Sequence, residues 1–177
     1  MAYIDTKNDE PGIRELFAFR PETGAALSQL AQTLLRGPSS LTPLERELIA
    51  AVTSHENDCF FCHSSHAAAA NALANDGEFV AKALQDPEAA GVSKKVQALL
   101  VIARHVAKSG KEVTPTLIDD ARAAGASDQE IHDGVLVAAA FCMFNRYVDG
   151  LGARTSQNPA DYVPMGQMLA TVGYLPR

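Results

Sequence analysis

Membrane-length apolar runs are missing from this chain of 177 residues. No stretch approaches the roughly 20 residues that cross a bilayer, so no membrane partner is expected. The opening MAYIDTKNDE lacks a basic n-region and an apolar h-region, so export is not expected either. Cysteine is scarce, with two of the three in one motif. That is too few for a disulfide scaffold and fits a reducing cytoplasm. Positive charge is also short: 15 Lys and Arg stand against 21 Asp and Glu, a net charge of -6. This excess of acid argues against a nucleic-acid backbone or an anionic membrane surface as partner. Alternating β-branched runs are lacking, whereas Ala and Leu are plentiful. The expected class is all-α, as a single domain over 1–177 that can bury a substantial core.

What the chain does have is concentrated in residues 41–70, LTPLERELIAAVTSHENDCFFCHSSHAAAA. Two helices joined by a short turn are predicted here. Thr42 is a cap, Pro43 takes the first helical position, and Glu45 closes a capping box. Glu45 thus has a local structural task and Glu47 has none. Glu47 flanks Ala50 and Ala51, so it faces apolar surface. Asn57 or Asp58 can cap a second helix starting near Cys59. On that helix Cys62 and His66 share a face, as do Cys59 and His63.

A thiolate is stabilised by the free N–H groups and partial positive charge of a helix's first turn, and by a nearby imidazolium. A Cys-x-x-Cys pair lets one sulfur be oxidised to a sulfenic acid and the other condense with it, giving a disulfide that a reductant reopens. His66 is spaced to move a proton to or from Cys62, and Glu47 can orient that imidazole. Proximity to the helix start favours Cys59 as nucleophile, whereas the His66 register favours Cys62; the register is followed here.

Other chemistries share these letters. Cys59-Phe60-Phe61-Cys62-His63 is also a c-type haem attachment pattern, but that normally follows export. Zinc could draw on Cys59, Cys62, His66 and one of His55 or His63, yet structural sites usually pair two well-separated ligand couples. The plainest alternative is two buried cysteines acting as small hydrophobes.

The intervals from Glu47 to Cys59, Cys62 and His66 reproduce a known pattern. They resemble the Glu…Cys-x-x-Cys-x-x-x-His signature of the alkylhydroperoxidase AhpD and carboxymuconolactone decarboxylase superfamily. Residues 37–47, with Phe144-Asn145-Arg146 and Asp149-Gly150-Leu151-Gly152, resemble its peroxidase-related branch. The likeness spans about residues 17–152. It implies an all-helical fold and hydroperoxide reduction through the cysteine pair, in homo-oligomers with sites near subunit contacts. By that pattern Cys62 forms the sulfenic acid, Cys59 resolves it, and Glu47 and His66 relay protons. An external dithiol would restore the pair, and neither a dissociable cofactor nor a metal is required. The best-known members carry a further histidine between the cysteines, where this chain has Phe60-Phe61. Lactone decarboxylation, the superfamily's other chemistry, has no evident need for two sulfurs. A third alternative is a non-catalytic protein that holds zinc or senses redox state.

Seven or eight helices are expected in all. Residues 1–10 read as a loose polar arm. Helices follow over about 11–19, 21–36, 78–84, 93–109, 115–125 and 127–151, in addition to the central pair. Arg20 and Arg36 bracket the second of these and are expected to be solvated. His105 is read as an ordinary helix histidine, His132 and Asp133 as exposed, and Cys142 as a packing residue. Arg146 and Asp149 are spaced to pair, or to shape a pocket mouth or interface. The tail 153–177 is apolar enough to pack on the body or on a neighbouring subunit.

Overall fold

Side-chain capping sets four of the helix starts in the computed structural model, which describes residues 2–175. The helices are α1 (Ile13–Phe19), α2 (Pro21–Arg36), α3 (Pro43–Glu56), α4 (Phe60–Ala74), α5 (Phe79–Gln85), α6 (Lys94–Lys108), α7 (Pro115–Ala123), α8 (Asp128–Gly150) and α9 (Val163–Val172). Thr42 and Ser127 open α3 and α8 through complete capping boxes with Glu45 and Glu130. Ser93 and Thr114 cap α6 and α7 by accepting from the amides of Val96 and Leu117. No strand occurs among the described residues, and no helix there is long and apolar enough to cross a membrane.

The hairpin of α3 and α4 is the centre of the fold. Every residue from 46 to 54 on α3 is buried, because α4, α6 and α8 pack around it. Leu48, Ile49 and Val52 meet Leu99, Leu100 and Ile102 of α6 and Val137, Phe141 and Phe144 of α8 in one core. Beside it lies a smaller cluster of Leu16, Cys59, Phe61, Cys62, Val148 and Tyr162.

The helix α4 is not capped as the sequence suggests. Cys59 itself occupies the cap position without a side-chain bond to the helix amides, and Asp58 takes a left-handed conformation with φ of 54°. The Cys59 amide donates back to Ser54 O at 3.0 Å, which tightens the turn. Asn57 is thereby free to reach α8 instead.

Both flanking segments are docked. The N-terminal arm is not loose: the Tyr3 amide donates to Leu151 O at 2.8 Å, and the Thr6 hydroxyl donates to the buried Glu15 carboxylate at 2.5 Å. Burial would raise the Glu15 pKa, but Thr6 and Arg154 outweigh it and hold the carboxyl below its ordinary value. The tail, followed as far as Leu175, lays α9 along α4. Its contact explains the alanine run 67–70: Gly166 sits so close to Ala68 that a Cβ there would overlap its backbone.

Candidate functional site

The carboxylate of Glu47 lies wholly inside the protein, facing α4. The turn joining the helices is short, so Glu47 and His66 stand side by side, and His66 Nδ1–H donates to Glu47 Oε2 at 2.7 Å. The ring is fixed edge-on against Phe141, with centroids 4.4 Å apart. Two further groups close on the same carboxylate: Arg36 Nη2 from the end of α2 lies 2.6 Å from Oε1, and the Tyr174 hydroxyl donates to Oε1 at 2.5 Å. Tyr174 also stacks nearly parallel to the imidazole at 13° and lies under the Arg36 guanidinium, 5.3 Å from its ring centroid.

Burial alone would raise the pKa of Glu47. The His66 charge and hydrogen bond, Arg36 and Tyr174 outweigh it, so the carboxyl titrates below its ordinary value. Burial beside that carboxylate pushes the Tyr174 phenol well up, and it remains a hydrogen-bond donor.

Arg36 therefore departs from the expectation that it is solvated. Its side chain is only 11% exposed, because the carbonyls of Leu35 and Leu169 accept from its guanidinium and Glu47 neutralises it. Arg20, on the other hand, is exposed, with Glu22 3.7 Å away. Nothing local in the sequence separates the two arginines; the difference arises from the return of the tail over α2. Tyr174 was legible only as an apolar tail residue for the same reason.

The two sulfurs sit earlier, Cys62 one turn before His66 on α4 and Cys59 two turns before it at the cap. Cys59 and Cys62 are buried free thiols in the smaller cluster, in reach of one another. The Cys59 thiol donates to Asp149 Oδ1 of α8 at 3.3 Å. The pKa of Cys62 is pushed well above its usual value, first by its thiol neighbour Cys59 and then by burial, while the Asn145 amide acts in the opposite direction. Asn145 is itself set by a polar chain: Asn57 Nδ2 donates to its Oδ1 at 2.9 Å, and its Nδ2 donates to Ser54 Oγ at 3.0 Å.

Among the described residues no hydrogen bond joins the His66 ring to either sulfur. The dithiol and the Glu47–His66 pair are neighbours along α4 rather than one hydrogen-bonded chain. His63 turns away from both, its Nδ1–H donating to Ala51 O at 3.0 Å and its ring lying against His55. The candidate zinc ligands do not converge, and no group of three or more metal-binding side chains forms among the described residues. Cys142 is half-buried and accepts from Asn57 Nδ2 at 3.5 Å, so it touches the polar chain rather than the pair.

The spacing of Arg146 and Asp149 does not produce an ion pair. Arg146 Nη1 donates to Cys142 O at 2.9 Å, one turn back on its own helix, which leaves Asp149 to Cys59. Asp133 is half-buried where exposure was expected, since Ser39 Oγ donates to it at 2.8 Å. A cavity of about 740 Å³ runs along the outer face of α4. Phe60, His63, Ser64 and Val163 line it, and neither sulfur does.

Fold and site together define an all-α protein of AhpD-like architecture with a buried dithiol at the head of a central helix. The sequence matches the carboxymuconolactone decarboxylase family over residues 21–104. Two solved structures share the fold. One is an uncharacterized peroxidase-related protein from Silicibacter sp. TM1040, 27% identical, with a TM-score of 0.76, covering 86% of this chain and 78% of its own. Another, from Ralstonia eutropha JMP134, is described as an alkylhydroperoxidase AhpD core and an uncharacterized peroxidase-related protein. It is 25% identical with a TM-score of 0.76, covering 89% of this chain and 81% of its own. Among curated proteins there is no significant match. The family match and the two structural neighbours together support a place in the AhpD-like carboxymuconolactone decarboxylase superfamily.

Proposed function

We propose that this protein is a thiol-dependent peroxidase that reduces hydroperoxides through Cys59 and Cys62. The observation that carries this reading is the pairing of two free thiols at the head of α4, one turn before a buried Glu47–His66 pair. Cys62 sulfur attacks the peroxide oxygen and becomes a sulfenic acid, and the alcohol leaves. Cys59 then condenses with it, forming the S–S bond and releasing water, and an external dithiol reduces the disulfide. Glu47 holds the His66 ring in place as the proton reservoir for the departing oxygen. The Cys62 thiol is a weak acid in the reduced state, so its proton has to be passed on as attack proceeds.

The reading includes a reducing cytoplasm as the compartment and a homo-oligomer as the working form. Phe60-Phe61 between the cysteines leaves proton transfer to His66 and to groups outside the motif.

The test is thiol titration. Stoichiometric hydroperoxide should remove two free thiols per chain, and Cys62→Ser should abolish turnover while the helical far-UV signal remains. The matched family's name favours one competing reading, lactone decarboxylation. An enzyme of that kind would keep its activity in Cys62→Ser and lose no thiols to peroxide.

A further inference from the structure

We infer that Asp149 is a catalytic residue of this site: it takes the proton from Cys59 when the disulfide closes and returns it when the disulfide opens. The inference rests on the thiol-redox reading above, and it adds a group outside the Glu–Cys–Cys–His set.

The Cys59 thiol is fully buried and its S–H points at Asp149 Oδ1, 3.3 Å away. Asp149 is an exposed residue on the last turn of α8, so a proton that reaches it can leave to water. Arg146, the cation one turn back, is bonded to Cys142 O, and no cation forms an ion pair with Asp149 among the described residues. A carboxylate locked to a guanidinium would be a poor base; this one is bonded to a thiol.

The surroundings leave the pair to itself. On α4 the groups facing Asp149 are Cys59 and Cys62. From α1, Glu15 is bonded to Thr6 and to the Arg154 amide. From the tail, the Tyr162 hydroxyl donates to Ser156 O at 2.8 Å, and its pKa is pushed up to about 12 by burial and neighbouring acids. Partial desolvation of the side chain against α4 raises the Asp149 carboxyl, with the Cys59 hydrogen bond pulling it part of the way back.

The step balances. Peroxide oxidises Cys62 by two electrons to the sulfenic acid. Cys59 then gives its proton to the Asp149 carboxylate, and its sulfur attacks the Cys62 sulfur. The S–S bond forms as the S–O bond breaks, and the departing hydroxide takes up a proton from solvent to leave as water. When an external thiolate attacks the Cys62 sulfur, the displaced Cys59 thiolate recovers its proton from Asp149.

Asp149→Asn keeps the shape and the acceptor oxygen but cannot take a proton. In single-turnover oxidation of the full chain by a hydroperoxide, Cys62 sulfenic acid should form at the wild-type rate. Disulfide closure should then slow by about 100-fold or more, so that dimedone traps more sulfenic acid. Asp149→Glu should recover part of the rate. Wild-type closure should also slow as pH falls through the Asp149 titration, a limb the asparagine variant lacks.

A second measurement needs no peroxide. In the Cys62→Ser background, Asp149→Asn should let Cys59 alkylate at lower pH, because a neighbouring anion disfavours the thiolate. Wild-type closure rates in Asp149→Asn, or an unmoved alkylation profile, would overturn the assignment. If wild-type protein forms no sulfenic acid or disulfide while that alkylation profile does move, it is the peroxidase reading that fails, not the contact.

Discussion

The Tyr174 hydroxyl donates to Glu47 Oε1 at 2.5 Å across 127 positions of sequence. A residue of the tail thus completes the environment of a carboxylate on the central helix. Without that contact the carboxylate would keep two partners instead of three.

Tyr174→Phe should preserve the fold and lower stability by about 2 kcal/mol, the usual loss for a hydrogen bond to a charged group. Urea denaturation at neutral pH measures this. An unchanged midpoint would mean that the phenol contributes packing alone.

Arg36→Met removes the guanidinium from a fully buried carboxylate and should cost about 3–5 kcal/mol. Combining it with Glu47→Gln should return part of that loss, since no unpaired charge then remains buried. The sign of the pH effect follows from the lowered Glu47 pKa: its contribution is complete above the ordinary value of 4.5 and fades as pH falls through the folded-state value. In Arg36→Met the folded-state value moves up, so the fading should be smaller and should level off at higher pH, as read from urea midpoints taken across the acid range.

Glu130 offers a separable acid-sensitive element. Lys95, 2.6 Å away, and the Ser127 cap overcome burial and lower its pKa from 4.5 to about 2. Stability from this carboxylate should therefore be complete above pH 4.5 and drain as pH falls toward about 2. Lys95→Met should flatten that limb without moving the thiol titration.

Gly166→Ala tests the seat of α9. The added methyl would collide with Ala68 backbone, which cannot swing aside. The expected result is a loss of about 1–3 kcal/mol, the range for overpacking, measured by thermal melting. Because α9 precedes Tyr174, the Glu47 environment should loosen in the same variant.

Local signals made much of this molecule readable. Thr42 with Glu45, Ser127 with Glu130, and the proline-led starts each satisfy helix-end groups from within three residues, so the sequence is enough to place them. The Glu47–His66 contact was legible because a short turn leaves α3 and α4 one way to lie together. The rest depends on returns of the chain from far away. Arg36 looked like any surface cation until the tail enclosed it, and Arg146 gave up the expected Asp149 for a carbonyl on its own helix. Asn57 does not cap α4, because Cys59 takes that position, and it bonds instead to Asn145, 88 residues later.

The unbroken burial of residues 46–54 has a consequence for how such a protein can change. Their amides should be the last to take up deuterium from heavy water, since releasing them means opening the whole bundle. Glu47 is thus mounted on the least yielding segment of the chain. Natural variation in reactivity has to arise in the movable pieces laid against that segment, such as the α2 terminus and the returning tail.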